Sequence, residues 1–254
     1  MAALSLHGVT KNFGGLQALN DISFQAEENQ ITALIGPNGA GKTTLLNVIN
    51  GYLKPNAGEI NFYGDSIKGI DPFRVARKGI GRTFQIVKLF KELTVMENMT
   101  AAALYRARST SAAAILGMPA AKREYQEVVE QAWKLLRFIN LEHRAWHQAG
   151  ILPYGQQRLV EISRALMGNP KMLLMDEPAC GLNTQETREL EKIIIAIRDK
   201  GISVLLIEHE MKLVMGISNK VVVINYGQKI AEGNPEEIKK DEKVINAYLG
   251  RKAG

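Results

Sequence analysis

One cysteine in 254 residues, Cys180, excludes an internal disulfide and fits a reducing compartment. Its type and setting suggest a small filler with no redox role. Long apolar runs are also missing: Ile193–Ile197 and Val221–Ile224 fall far short of the roughly 20 residues that a bilayer crossing needs. The start, Met1-Ala2-Ala3-Leu4-Ser5-Leu6-His7-Gly8, has no basic region followed by an apolar one, so secretion is not expected. Basic residues never form a run of five and have no interleaved aromatics. The net charge of +6 and pI near 9.3 would suit a polyanion, but this scatter reads as solvated surface and no nucleic-acid partner is expected.

What is present is an ordinary globular composition, 46% hydrophobic and 23% charged. A chain this long buries roughly three quarters of its unfolded surface. Leu4 to Val9, Ile22 to Gln25 and the apolar Ile31–Ile35 read as strands, the last running into a glycine-rich turn. Helical spacing follows from Thr43 to Ile49, with Gly51 where a helix ends. From about Val87 to Ala149 the composition becomes Ala-, Lys-, Arg- and Glu-rich, which predicts a helical insert. Within it Tyr125, Val128, Val129, Ala132, Leu135, Leu136 and Ile139 share one helix face, Ser109 to Pro119 reads as a loop, and Trp133 and Trp146 are expected to pack the insert.

After Gly155 strands and helices alternate: helix to Met167, strand Met172–Met175, helix Gln185–Lys200, strand Val204–Ile207, helix Met211–Ile217, strand Val221–Asn225. That order predicts an α/β fold with a largely parallel sheet wrapped by helices. Met211 and Met215, one turn apart, are expected in the core.

Gly36-Pro37-Asn38-Gly39-Ala40-Gly41-Lys42-Thr43, followed by Thr44, satisfies G-x-x-x-x-G-K-[ST] between a strand and a helix. Such a loop curls its N–H groups toward phosphate oxygens, the lysine reaches the β and γ phosphates, and Thr43 binds Mg²⁺. Asp176 and Glu177 end the strand Leu173-Leu174-Met175 and belong at the carboxyl edge where ligands bind in open α/β sheets. Asp176 would hold Mg²⁺ through water. Glu177 would polarise an attacking water.

With these motifs in this order, the chain resembles the ATPase subunits of ABC transporters over nearly its whole length. The resemblance rests on Arg82-Thr83-Phe84-Gln85, Leu152-Pro153-Tyr154-Gly155-Gln156-Gln157, Gly181-Leu182-Asn183 and Glu208-His209-Glu210, which match the family's glutamine loop, signature, D-loop and switch histidine. It implies an ABC-type P-loop ATPase fold: a RecA-like mixed sheet core, an N-terminal antiparallel β subdomain and an inserted helical subdomain. The expected boundaries are 1–86 and 158–254 for the core and 87–157 for the helical part. The implied catalytic set is Glu177, His209, Lys42 and Gln85, with Thr43, Gln85 and Asp176 toward Mg²⁺. Gly155 and Gln156 would serve ATP held by an opposite subunit. Phe13 occupies the position of the aromatic that stacks on adenine, with a strand-end core position as its alternative. His7, His143 and His147 match no motif and are assigned no role.

Two departures stand out: Pro153 replaces the signature serine and Asn183 the D-loop aspartate. They imply reduced, not abolished, hydrolysis. The strings Pro153-Tyr154-Gly155-Gln156-Gln157-Arg158, Ala179-Cys180-Gly181-Leu182-Asn183, Ile207 to Ser218 and Val244 to Gly250 are similar to the larger ATPase subunit of branched-chain amino acid importers. That resemblance implies a paralogous ATPase partner (or a homodimer in isolation), two membrane permeases that contact the insert including Val87 to Met99, a periplasmic binding protein, and a peripheral place on the cytoplasmic face of the inner membrane. A urea or amide importer, another ABC transporter, and a non-transport ABC ATPase serving as an assembly scaffold are the alternatives.

Overall fold

Leu4, Leu6 and Val9 are fully buried along β1 (Ala2–Phe13) while His7 is exposed, the mark of a strand with one face on a core. β1 pairs antiparallel with β2 (Leu16–Glu27) on one side and with β4 (Ala57–Phe62) on the other. β5 (Asp65–Ser66) completes a four-stranded antiparallel sheet of order β2-β1-β4-β5. The computed structural model describes residues 1–103 and 119–249. The chain divides into two units, Met1–Gln85 with Lys171–Gly254, and Ile86–Pro170.

The first unit also contains a six-stranded sheet of order β10-β9-β3-β8-β7-β6. Its strands are β3 (Ile31–Ile35), β6 (Ile80–Arg82), β7 (Met172–Asp176), β8 (Ser203–Ile207), β9 (Lys220–Asn225) and β10 (Gln228–Gly233). β6 to β9 and β3 pair in parallel and β10 is antiparallel to β9. Central strands are buried on both faces, hence their unbroken apolar sequences. Leu34, Val222 and Ile224 join a core with β1, β2, β4 and helix α1 (Lys42–Ile49). Ala33, Ile35, Val221 and Val223 point the other way, onto Val214 of α7 (Met211–Ile217), Ile238 of α8 (Pro235–Ile238) and Val244 of α9 (Glu242–Leu249). Met211 and Met215 pack, half-buried, at the edge of that second core.

Two hairpin turns escape simple sequence reading. Tyr63-Gly64 joins β4 to β5 and Tyr226-Gly227 joins β9 to β10, with φ values of 49°, 82°, 45° and 74°. Positive φ at both central residues is the type I′ turn, which usually advertises itself by Asn-Gly or Asp-Gly. A tyrosine in the first position hides it. Helix α2 (Pro72–Lys78) and the strand β6 after it carry no clear sequence signal either.

In the second unit, α3 (Val95–Ala103) starts with a capping box: Thr94 Oγ1 accepts the Glu97 amide at 3.2 Å and Glu97 Oε2 accepts the Thr94 amide at 2.7 Å. Helix α4 (Pro119–Phe138) carries the expected face unevenly: Ala132 and Leu136 are buried, as is Ile139 just beyond it, but Tyr125, nearer its start, is exposed. The loop expected over 109–119 lies outside the described residues except for Pro119, which begins α4. Trp133 and Trp146 meet edge to face with centroids 6.1 Å apart and so pack against each other in this unit, with Trp146 at its surface, 69% exposed. The whole of α5 (Tyr154–Leu166) belongs to this unit, so the boundary expected at 157 falls within that helix.

Arg158 is fully buried on α5 and donates to Glu161 at 2.7 Å and to the Tyr154 hydroxyl at 2.9 Å. Glu161 also accepts the Lys88 amide at 3.2 Å. A buried charge needs such partners, and this network ties the chain after Gln85 to the signature helix within the second unit.

Candidate active site

Parallel strands share a carboxyl edge, and β3, β7 and β8 deliver their following residues to it in register: Asp176 lies opposite Ile207 and Leu34 opposite the same residue. The edge therefore gathers the loop after Ile35, the Asp176-Glu177 pair and the Glu208-His209 pair. A cavity of about 900 Å³ opens there. Gly36 to Thr44 line it together with Phe13, Gln85, Glu177 and His209, all sequence-predicted. Leu16, Gln17, Ala18, Tyr226, Gly227, Ala247 and Tyr248 complete the wall and were not predicted.

The 36–43 loop is held by its neighbours. Gly227 donates to Ala40 O at 3.0 Å and accepts the Asn20 amide at 2.8 Å, so the Tyr-Gly turn clamps the loop beside β2. Gly41 has φ 103°, and a Cβ there would lie 2.7 Å from Ala18 O; no other residue fits. It is the N-cap of α1, whose first amides and dipole face the cavity. Lys42, 6% exposed, donates to Gly36 O at 2.7 Å and to Pro37 O at 3.0 Å, which holds its ammonium inside the curl of the loop.

Glu177 has φ 48°, a left-handed backbone that costs a non-glycine residue about 1–2 kcal/mol. Its carboxylate accepts from Gln85 Nε2 at 2.9 Å and stands 3.7 Å from His209 Nδ1. Three predicted residues from three strand ends thus meet at one oxygen. Phe13 is 45% exposed on the cavity rim with Lys11 Nζ 5.1 Å from its ring, which removes the strand-end core alternative.

Asp176 is 4% exposed and pairs with Arg82 at 3.3 Å. Burial pushes its carboxyl above the ordinary carboxylate value and the Glu177 charge adds to this, against the pull of Arg82 and Lys42. Arg82 also donates to Asn47 of α1 at 2.7 Å, and its guanidinium packs over the rings of Tyr52 and Phe84, at 5.6 and 5.0 Å. The sequence marks Arg82 only as part of a motif. Glu208, 1% exposed, is pushed above its ordinary 4.5 by burial, which outweighs the amides of Ala179, His209 and Glu210 and the nearby His209. Thr43, Gln85 and Asp176 offer only hard oxygen donors toward a cation, a set that fits Mg²⁺.

Gly155 and Gln156 lie elsewhere, in the first turn of α5 in the second unit. Pro153 is the N-cap of that helix and supplies no capping side chain. Asn183, by contrast, replaces aspartate without loss of capping: its side chain accepts the amides of Gln185 and Glu186 at 2.9 and 3.0 Å, opening α6 (Thr184–Asp199). Cys180 is exposed, so it is not the interior filler the sequence suggested.

The ABC transporter family model matches residues 19–180. The chain belongs to the ABC transporter family. It is an ATP-binding subunit of that family, of the branched-chain amino acid importer type: a model described as branched-chain amino acid ATP-binding cassette transporter matches residues 228–254. The chain is 46% identical over 248 residues to the high-affinity branched-chain amino acid transport ATP-binding protein BraF of Pseudomonas aeruginosa, covering 97% of each. It is 42% identical to the LivG protein of Escherichia coli K12, again over 97% of each. Among solved structures it is similar to a nucleotide-free ATP-binding cassette from an ABC transporter, with 37% identity, TM-score 0.85 and coverage of 98% and 99%. An ATP-binding cassette in its ADP conformation gives 36% identity and TM-score 0.87 with the same coverage. The expected fold, an antiparallel N-terminal sheet with a mixed, mostly parallel one, is thus that of the ABC ATPases. The Tyr-Gly turn and α9, which complete the cavity wall, lie in or beside the segment that the branched-chain model matches.

Proposed function

We propose that this ABC ATPase energises uptake of branched-chain or related hydrophobic amino acids through separate permease subunits. The observation that carries the reading is the meeting of Gln85, Glu177 and His209 beside the phosphate loop, in a chain whose relatives are named for branched-chain amino acid transport.

ATP binds with its β and γ phosphates in the 36–44 loop against Lys42 and the N-terminus of α1, and its adenine on Phe13. Thr43, Gln85 and Asp176 would hold Mg²⁺, which would neutralise phosphate charge when bound. Glu177 takes the proton of the attacking water, general-base work worth roughly 10²–10⁴ in rate. Gln85 and His209 hold that water and its base in line, and His209 also reaches the γ-phosphate. Gly155 and Gln156 serve the ATP of an opposite subunit, a paralogous ATPase in the transporter or a second copy in isolation.

Among the described residues no helix is long and apolar enough to cross a membrane. We place the subunit peripherally on the cytoplasmic face, its 87–99 segment against two permeases, with a periplasmic binding protein delivering substrate. Phe90 within it, 57% exposed, and Ile86 just before it, 75% exposed, give it an apolar surface to dock. The test is uptake of labelled leucine by cells that carry the permeases and either this chain or its Lys42→Ala variant. Uptake only with the wild-type chain supports the reading. Equal uptake without a functional chain rejects it.

A further inference from the structure

Glu208 does not line the cavity and is 1% exposed, so it touches no substrate. Its two oxygens nevertheless hold the two segments that carry the reacting groups: Oε1 accepts the Ala179 amide at 2.8 Å and Oε2 the His209 amide at 3.2 Å. On the near side of Ala179, the Glu177 amide donates to Ile207 O at 2.9 Å. Glu177 is thus gripped on both flanks by the end of β8. Between those grips sits its left-handed backbone, φ 48°, a conformation that persists only where the surroundings over-determine it.

We propose that Glu208 is a positioning residue for hydrolysis, which sets the Glu177–His209 geometry by holding the turn after Glu177 against the switch histidine. The proposal rests on the general-base reading of Glu177. A buried carboxylate is a costly way to fill space, and an apolar side chain would bury as well without desolvating a charge. What only an acceptor provides here is the pair of bonds to Ala179 and His209. Ala179 in turn accepts the Leu182 amide at 3.1 Å, and Asn183 follows. The same carboxylate therefore also links the D-loop to the switch histidine, so a displacement of the D-loop moves the water-activating group.

The test compares Glu208→Leu, Glu208→Gln and Glu177→Gln in the full chain, reading ATP turnover and ATP affinity separately. We expect Glu208→Leu to lower kcat at least about tenfold and Glu208→Gln, which keeps one acceptor, at least about threefold, with the ATP Kd within about twofold of wild type. Added to Glu177→Gln, Glu208→Leu should change residual turnover less than about twofold, since both act through one step. If Glu177→Gln is inactive while both Glu208 variants keep wild-type kcat, this proposal fails and the base assignment stands. Equal losses in kcat and in affinity would make Glu208 merely structural and also overturn it. Turnover persisting in Glu177→Gln removes the base reading and this proposal with it. Should Glu208→Leu fail to fold, Glu208→Gln carries the same comparison.

Discussion

Arg82 and Asp176 face each other at 3.3 Å, each side chain only 6% exposed. The two charges are desolvated together, and burial still holds the Asp176 carboxyl above its ordinary value. The net worth of such a pair is small, but cutting one half leaves the other stranded at a cost of about 3 kcal/mol. Arg82→Met should therefore lower Tm by roughly 6–12 °C in calorimetry. Adding Asp176→Asn should recover part of that loss, because the carboxylate stranded without Arg82 is then gone. A Tm within about 2 °C of wild type for Arg82→Met would contradict this account.

Pro153 stands at the N-cap of α5, where serine would accept a backbone amide. Serine there contributes about 1 kcal/mol, and losing the proline costs about 0.4–1 kcal/mol by freeing the unfolded chain. These offset each other, so Pro153→Ser should leave Tm nearly unchanged. In the proposed pairing it would also add a hydroxyl donor toward the phosphate of the opposite subunit's ATP, and turnover should be preserved or raised. A large loss of activity would show that proline has a positive role.

The legible part of this protein was local. Ile31 to Ile49 reads as strand, loop and helix because the apolar run, the glycines and the helical spacing are contiguous, and the structure follows them closely. Glu177 is legible because it ends an apolar strand, whereas His209 is marked only by its place in the motif that the family shares; parallel pairing brings the two strand ends together. What stayed hidden depends on distant partners. Arg82 meets Asp176 across 94 positions and Glu208 meets Ala179 across 29, and neither separation leaves a trace in spacing. Tyr226-Gly227 lacked the asparagine or aspartate that signals its turn. Cys180 departs from its expected filler place because residue type predicts burial only on average, and it lies on an exposed turn.

Glu208 also gives a pH dependence of stability. A carboxyl whose folded-state pKa exceeds its unfolded value binds its proton more tightly when folded. Its contribution to stability is therefore greatest in acid and declines as pH rises from about 4.5 through the raised value. Glu208→Gln removes this titration. In urea unfolding, its stability relative to wild type should improve steadily as pH is raised through that window. A constant difference across the window would contradict a raised carboxyl at Glu208.

The central claim, that Glu177 activates the water attacking ATP bound in the 36–44 loop, is tested most directly by Glu177→Gln in purified protein. The account predicts a loss of ATP turnover of about 10²-fold or more, with ATP still bound at near wild-type affinity. The amide keeps the shape of the side chain and its bond from Gln85 but accepts no proton. Turnover at the wild-type rate in Glu177→Gln would contradict the account.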